Sequence, residues 1–329
     1  MKPMASLNQI FKNYTGVLRQ FKAVYVLNNL LNRHKLAHNR ELYAKYGLKK
    51  SIYAPLGKAD FAKPHPDVPW LDRPDAIRAL EQHPRFKEWS APIQEELKRF
   101  VRDGYMILKN FFSIENVDRL NEEIDQLLQD RSIDFNYTGR KVMESFRVSP
   151  MADAFFRNRQ LNKLLSFTMG APVIPFQTIN FIRGSEQRAH SDSIHMTTEP
   201  QGYLIAAWIA LEDIGPDQGP LEFYPGSHRL PFVSTQQYAS GNTNWTIGSE
   251  SNKRYEDKIA QIVAENDLQP KTFLAQKGDI LIWHANLIHG GQAITREGAT
   301  RKSMVAHYFC EGVICYHEMS QRPALIEKR

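Results

Sequence analysis

His190 and Asp192 stand two residues apart in His190-Ser191-Asp192, and a third candidate ligand, His289, lies far down the chain in Trp283-His284-Ala285-Asn286-Leu287-Ile288-His289-Gly290-Gly291. A His-x-Asp step on an extended segment turns both side chains to one face, because strand side chains alternate. Imidazole nitrogen and carboxylate oxygen both suit divalent iron. Two histidines with one carboxylate cover one face of a mononuclear non-haem Fe(II) ion and leave the opposite face open for a co-substrate and O2. From spacing alone the step defines no more than a divalent metal site, and other residues compete for it. His284 rivals His289 as the distal ligand and directly follows an apolar run. His195 rivals His190 but has no carboxylate two residues on. His228, in Pro225-Gly226-Ser227-His228, reads as a turn anchor. His307, Cys310, Cys315 and His317 offer zinc-ligand chemistry without a usual zinc spacing.

An open Fe(II) site needs a co-substrate that chelates the metal and supplies two electrons. A 2-oxo acid does so, and its distal carboxylate then requires a buried cation. Arg301, in Arg301-Lys302-Ser303, follows His289 on the next extended segment, and its guanidinium fork matches both oxygens of a carboxylate. Ser303 faces the same side and offers a hydroxyl. The competing reading is a surface arginine in a charged turn with Arg296 and Lys302.

The elements that must position these residues change character along the chain. Ala91-Pro92 opens a helix through Ile93, Leu97 and Phe100. Gly104–Leu108 reads as a short strand, and Ser113 as the N-cap of a helix through Val117, Leu120, Ile124 and Leu127. From about Val173 onward short strands dominate: Ile174–Ile182, Tyr203–Leu211, Leu221–Tyr224, Ile280–Trp283 and Ser303–Phe309, with turns at 215–219, 225–227 and 290–291. Helices followed by many short strands predict a mainly β fold with supporting helices, a double-stranded β-helix or jelly roll of the cupin kind. The oxygenase domain is expected over residues 92–329. Residues 1–91 are expected to form a helical, basic extension with a Pro-rich connection.

The charge of this 329-residue chain is uneven: net +6, yet seven of its 42 Lys and Arg and none of its 36 Asp and Glu lie in residues 1–40. The rest is close to neutral, which excludes a nucleic-acid-binding face on the body. No run reaches the apolar length of a membrane span. With only two cysteines and no apolar leader core, a reducing, cytoplasmic setting is expected. Residues 5–33 carry Leu7, Ile10, Phe11, Tyr14, Val17, Leu18, Phe21, Val24 and Tyr25 at helical spacing. This stripe can pack on the body, self-associate, lie on an anionic membrane or serve as a targeting peptide.

Taken together the residues resemble the phytanoyl-CoA dioxygenase family of Fe(II)- and 2-oxoglutarate-dependent oxygenases. The resemblance runs over about 92–310, through Phe100–Phe112, His190-Ser191-Asp192, Ala207–Asp213, Gln218–His228, Gly278-Asp279, His289-Gly290 and Arg301-Lys302-Ser303. It is most specific in Gln218-Gly219-Pro220-Leu221-Glu222-Phe223-Tyr224-Pro225-Gly226-Ser227-His228. It implies iron on His190, Asp192 and His289, and the distal carboxylate of 2-oxoglutarate on Arg301 with Ser303. Gln177 and Asn180 resemble positions facing co-substrate or substrate, and Trp208 would line the same pocket. The expected reaction uses O2 to hydroxylate an unactivated C–H bond of a small-molecule or lipid-like substrate, releasing succinate and CO2. Desaturation and epimerisation stay open, whereas the carboxylate of Asp192 argues against halogenation. A cupin-like isomerase or hydrolase and a non-catalytic barrel are the alternatives from other classes. The chain departs from the family in the small Ser191 between the ligands. It departs also in a long polar segment between His228 and Lys271, expected to act as a lid, and in residues 1–91, which have no counterpart.

Overall fold

The structure, a computed structural model, describes residues 18, 20–61, 65–136 and 139–326. Its centre is a six-stranded antiparallel sheet. The strands are β1 (Tyr105–Leu108), β2 (Lys141–Met143), β3 (Val173–Phe181), β5 (Leu204–Ala210), β8 (Ile280–His284) and β10 (Ser303–Cys310), in the order β1-β8-β5-β10-β3-β2. A three-stranded sheet of β6 (Leu221–Phe223), β7 (Lys271–Phe273) and β9 (His289–Gly291) faces it, and β4 (Thr197–Glu199), β11 (Ile314–His317) and β12 (Arg322–Pro323) form a third. The fold is the jelly roll that the strand pattern predicts.

Register assigns each side chain to a face. Ser303, Val305 and His307 of β10 lie beside Phe181, Ile179 and Gln177 of β3, and beside Ala210, Trp208 and Ala206 of β5. This is the inner face, where Trp208, Leu281 and Trp283 pack with Leu221, Phe223 and Phe273 of the opposite sheet. The outer face carries Met304, Ile209, Ile280 and Met106. It is covered by α4 (Ala91–Asp103), α5 (Ile114–Gln129), α6 (Pro150–Phe156) and α7 (Arg159–Met169). Because helices cover one face and the second sheet the other, all seven residues of β5 are buried, and the strand reads in sequence as a continuous apolar run.

Sequence patterning locates α4, β1 and α5 well. Ser113 caps α5 by accepting from the Asn116 N–H, and Gly104 ends α4 at φ 80°. A Cβ at Gly104 would come within 2.5 Å of the His228 ring, so His228 is the buried turn anchor expected. Helices α6 and α7 were not anticipated. Their Phe155, Phe156, Leu161 and Leu164 complete the layer over the main sheet.

Residues 1–17 and 19, which include about half of the predicted helix over 5–33, lie outside the described residues. The remainder forms α1 (Lys22–Leu31), with α2 (Asn39–Lys45) and α3 (Ala76–Gln82) following. The apolar stripe is not what buries α1. Lys22 and Asn29 are its buried residues, with Lys22 Nζ on the Thr243 carbonyl at 2.6 Å and on Gln321 Oε1 at 2.7 Å. Beyond α1, Leu36, Tyr43, Ile52 and Leu56 pack on Ile314 and Tyr316 of β11, while Leu71, Leu80 and Phe86 join the main core. Two buried glutamates bind this connection to the barrel. Glu199 accepts from Lys58 Nζ at 2.9 Å, and Glu318 accepts from the Lys58 backbone N–H, also at 2.9 Å.

The Lys58 and Glu199 side chains are only 14% and 2% exposed. Removing one partner leaves a buried charge uncompensated, so Lys58→Met is expected to cost about 3 kcal/mol in a urea unfolding titration. Adding Glu199→Gln should recover much of that loss, because no charge is then stranded.

Candidate metal centre

The three predicted ligands converge although two of them lie far apart in sequence. His190 and His289 form an antiparallel bridge in which each backbone N–H donates to the other's carbonyl at 2.9 Å. This puts both imidazoles on one side, with ring centroids 4.5 Å apart. The bridge needs a small residue beside it, since a Cβ at Gly290 would meet the Gln187 carbonyl at 2.9 Å. A 3-10 turn at Asp192–Ile194 brings the carboxylate underneath. Asp192 Oδ1 lies 4.0 Å from His190 Nε2 and 3.8 Å from His289 Nε2. Among the described residues these three are the one group of His, Cys, Asp and Glu drawn together closely enough to hold a metal ion, and all three are buried.

Hydrogen bonding fixes the ring nitrogens. His190 Nδ1 lies 2.9 Å from the Arg188 carbonyl, and His289 Nδ1 lies 2.9 Å from the Leu287 carbonyl. A carbonyl only accepts, so each Nδ1 carries the proton and each Nε2 keeps its lone pair for a metal. Burial and the neighbouring His289 hold His190 well below its ordinary pKa, which keeps the ring neutral. Burial opposes the charge of Asp192, but His289, His307 and His190 outweigh it and hold the carboxyl well below the usual range. His190 is therefore neutral and Asp192 ionised at neutral pH, and two imidazoles with one carboxylate suit Fe(II).

Flanking segments brace the ligands. Asn286 donates to the His228 and Leu230 carbonyls, and Ser227 Oγ accepts from the Ile288 N–H at 2.8 Å. The Pro-Gly-Ser-His turn thus fixes the segment that presents His289. The polar stretch expected to be a lid instead contains a fully buried support. Its α8 (Ser251–Glu265) places Tyr255 under the ligand turn, where the hydroxyl accepts from the Ser191 N–H at 3.0 Å and contacts Ser191 Oγ at 3.0 Å. The small residue between the ligands is the one that fits against this phenol.

Arg301 is buried, not a surface arginine. Its Nη1 donates to the Gly219 carbonyl at 3.0 Å, while its Nε, the Ser303 hydroxyl and the Trp208 indole N–H are buried without a partner among the described residues. Burial lowers Arg301 to about 10, with Glu186 opposing, so it stays cationic at neutral pH. A buried cation with a spare donor beside a free hydroxyl has the chemistry to receive a carboxylate, and Arg301 reaches the strand of His289, its Nη1 3.4 Å from where a Cβ would stand on Gly291. These residues fit 2-oxoglutarate. Gln177 lies on the same inner face, half-buried beside His307. Asn180 does not. Three residues along a strand it pairs with Met304 on the outer face and accepts from Ser145 Oγ at 2.5 Å, so it belongs to the helical layer and cannot face the co-substrate.

The rival ligands are accounted for. His284 points outward, its Nε2 3.1 Å from Asp72 Oδ2 of the N-terminal connection. His195 stands beside the centre, its ring 5.4 Å from that of His317, and burial drives both to about 3. The conceivable zinc set is dispersed, since Cys310 and Cys315 lie in the outer core while His307 faces Asp192. Sequence reasoning missed three inward groups: Trp283, whose indole N–H donates to Asp192 Oδ2 at 2.7 Å, His307, and Lys141. Burial lowers the Lys141 ammonium while the charge of Asp192 opposes the shift, and its Nζ donates to Gln187 Oε1 at 3.3 Å. Only strand alternation could have flagged them.

Fold and site together define a non-haem Fe(II)- and 2-oxoglutarate-dependent dioxygenase. Residues 100–303 match the family described as phytanoyl-CoA dioxygenase (PhyH), and the chain belongs to that family. It is 26% identical over 250 residues to an ectoine dioxygenase of Halomonas elongata, covering 69% of this chain and 71% of that one. It is 21% identical over 238 residues to the peroxisomal phytanoyl-CoA dioxygenase of Bos taurus, covering 65% and 67%. Among solved structures, the alpha ketoglutarate dependent carbocyclase SnoK from nogalamycin biosynthesis superposes with a TM-score of 0.57 at 15% identity, covering 74% of this chain and 95% of that one. EctD from S. alaskensis, solved with 2-oxoglutarate and 5-hydroxyectoine, superposes with a TM-score of 0.53 at 21% identity, covering 68% and 78%.

His289→Ala should abolish stoichiometric Fe(II) or Co(II) binding in an anaerobic calorimetric titration. His284→Ala should leave that titration unchanged and lower only the unfolding midpoint, because it strands Asp72 and touches no metal ligand.

Proposed function

We propose that the enzyme hydroxylates an unactivated C–H bond of a small organic substrate, using His190, Asp192 and His289 to hold iron and Arg301 with Ser303 to hold the distal carboxylate of 2-oxoglutarate. The observation that carries this reading is the buried, under-bonded Arg301 with the Ser303 hydroxyl on the same barrel face as the triad. Bound there, Fe(II) with 2-oxoglutarate and O2 supplies an oxidant able to break such a bond, with succinate and CO2 as products. The chain's own part is to orient and to exclude water. Arg301 and Ser303 fix one end of the co-substrate, Trp208 offers an indole N–H to the same chamber, and apolar Phe181, Leu281 and Val305 keep the chamber dry. Lys141, Gln177, Ile179, His195 and His317 are half-buried, and we assign the substrate to them. The neutral imidazoles suit a hydrogen-bonding group more than a strong anion. We keep the oxygenase domain at residues 92–329, with residues 1–91 as an extension that shares its core.

Succinate formation from 2-oxoglutarate, dependent on Fe(II) and O2 and stimulated by a productive member of a small-metabolite panel, tests the reading. Arg301→Ala should raise the KM for 2-oxoglutarate about 100-fold, since it removes the charged partner of a buried carboxylate. An unchanged KM would remove Arg301 from this role.

A second reading concerns where the enzyme works. No helix among the described residues is long and apolar enough to cross a membrane. With Lys22 and Asn29 turned inward, α1 exposes Leu27, Leu30 and Leu31 at 56%, 46% and 74%, and Trp245, whose carbonyl accepts from the Lys22 N–H, is 77% exposed. In sequence, residues 1–40 carry no acid. We infer that this face rests on an anionic lipid surface. The chain should co-sediment with phosphatidylserine vesicles, and Leu27→Asp with Trp245→Asp should abolish this without changing succinate formation. Concentration-dependent dimers that the same substitutions dissolve, with no vesicle binding, would assign the face to self-association.

A further inference from the structure

We propose that Trp283 and His307 act together as positioning residues that confine Asp192 to a single ligand oxygen. The proposal rests on the iron assignment above and concerns how this chain keeps the rest of the metal face open.

The two oxygens of Asp192 have different surroundings. Oδ1 faces the Nε2 atoms of His190 and His289, at 4.0 and 3.8 Å. Oδ2 faces away, 2.7 Å from the Trp283 indole nitrogen and 3.5 Å from His307 Nε2. An indole N–H only donates, and its bond to a charged, buried acceptor is stronger than one between neutral groups. Swinging Oδ2 toward the metal would break that bond and leave a buried N–H unsatisfied. A facial triad needs one ligand atom from each residue if co-substrate and O2 are both to bind. A carboxylate chelating through both oxygens would occupy one of those places.

The sheet arranges this by register. Trp283 of β8 and His307 of β10 each pair with Ala206 of the intervening β5. The three stand in one row on the inner face, and the central residue is a single methyl group. The two larger side chains therefore converge above it on the same oxygen. Trp283 is also fixed by its contact with the His289 ring, at 4.5 Å between centroids. His307 Nδ1 has no partner among the described residues, so the position of that ring depends on the carboxylate.

A merely space-filling role for these side chains would affect folding and not the metal. Trp283→Phe keeps an aromatic ring and deletes the N–H, and His307→Leu deletes the second contact. Both are read by anaerobic Co(II) titration followed by the visible ligand-field bands, with the unfolding midpoint of the metal-free chain measured in parallel. Each variant is expected to weaken Co(II) binding about 10-fold or more and to shift the bands, and the double variant to lose less than the sum, since both groups act on one oxygen. Wild-type affinity and bands in both variants would overturn the proposal whatever the turnover. If Trp283→Phe does not fold, His307→Leu and Ala206→Val decide on the same titration. Failure of the wild-type chain to bind Co(II) would overturn the iron assignment and this proposal with it.

Discussion

The two backbone hydrogen bonds between His190 and His289 are the contact on which the site depends. They tie together segments that the chain brings near each other only after the jelly roll has closed, and they set both imidazoles on one side at a fixed spacing. The surrounding structure serves this bridge. Gly290 lets the strands approach, the Pro-Gly-Ser-His turn holds the segment before His289, and Tyr255 supports the turn after His190. Such a join is costly to form, because closing a long loop loses entropy before any contact is gained. The two-sided burial of β5, between the helical layer and the second sheet, supplies the apolar burial that offsets it.

Charge is placed unevenly inside the barrel. Asp192, Arg301 and Lys141 are all withdrawn from water within or beside one chamber, while the outer core is almost wholly apolar. Burying charged groups opposes folding unless something pairs with them. Asp192 has its histidines and an indole, but the guanidinium of Arg301 has a single carbonyl. An anion at that place would offset this imbalance.

The N-terminal extension follows the opposite logic. Helix α1 buries a lysine and an asparagine and exposes leucines. The lysine is satisfied by the Thr243 carbonyl and Gln321, so the inversion is stable only because the barrel offers acceptors at that point. Farther along, Lys58, Glu199 and Glu318 form a buried polar staple between the extension and the third sheet.

The order of elements and the chemistry were legible from sequence because both rest on local pattern. Alternation and turn residues located the strands, and a carboxylate two residues from a histidine, followed later by His-Gly-Gly, named the ligands. Asn180 departs from what the resemblance implies, because register pairs it with Met304 and its side chain accepts from Ser145 Oγ. The stretch after His228 reads as a lid from its length and polar composition, which hide the narrow buried face of α8 at Ser251, Tyr255 and Ile259. By itself the sequence determined the residue types that can bind iron and a carboxylate, since those are properties of the side chains. Only the tertiary structure turned His284 away to Asp72, buried Arg301 and aimed Trp283 and His307 at one oxygen of Asp192. Those outcomes depend on cross-strand register, which is fixed by packing between segments distant in the chain.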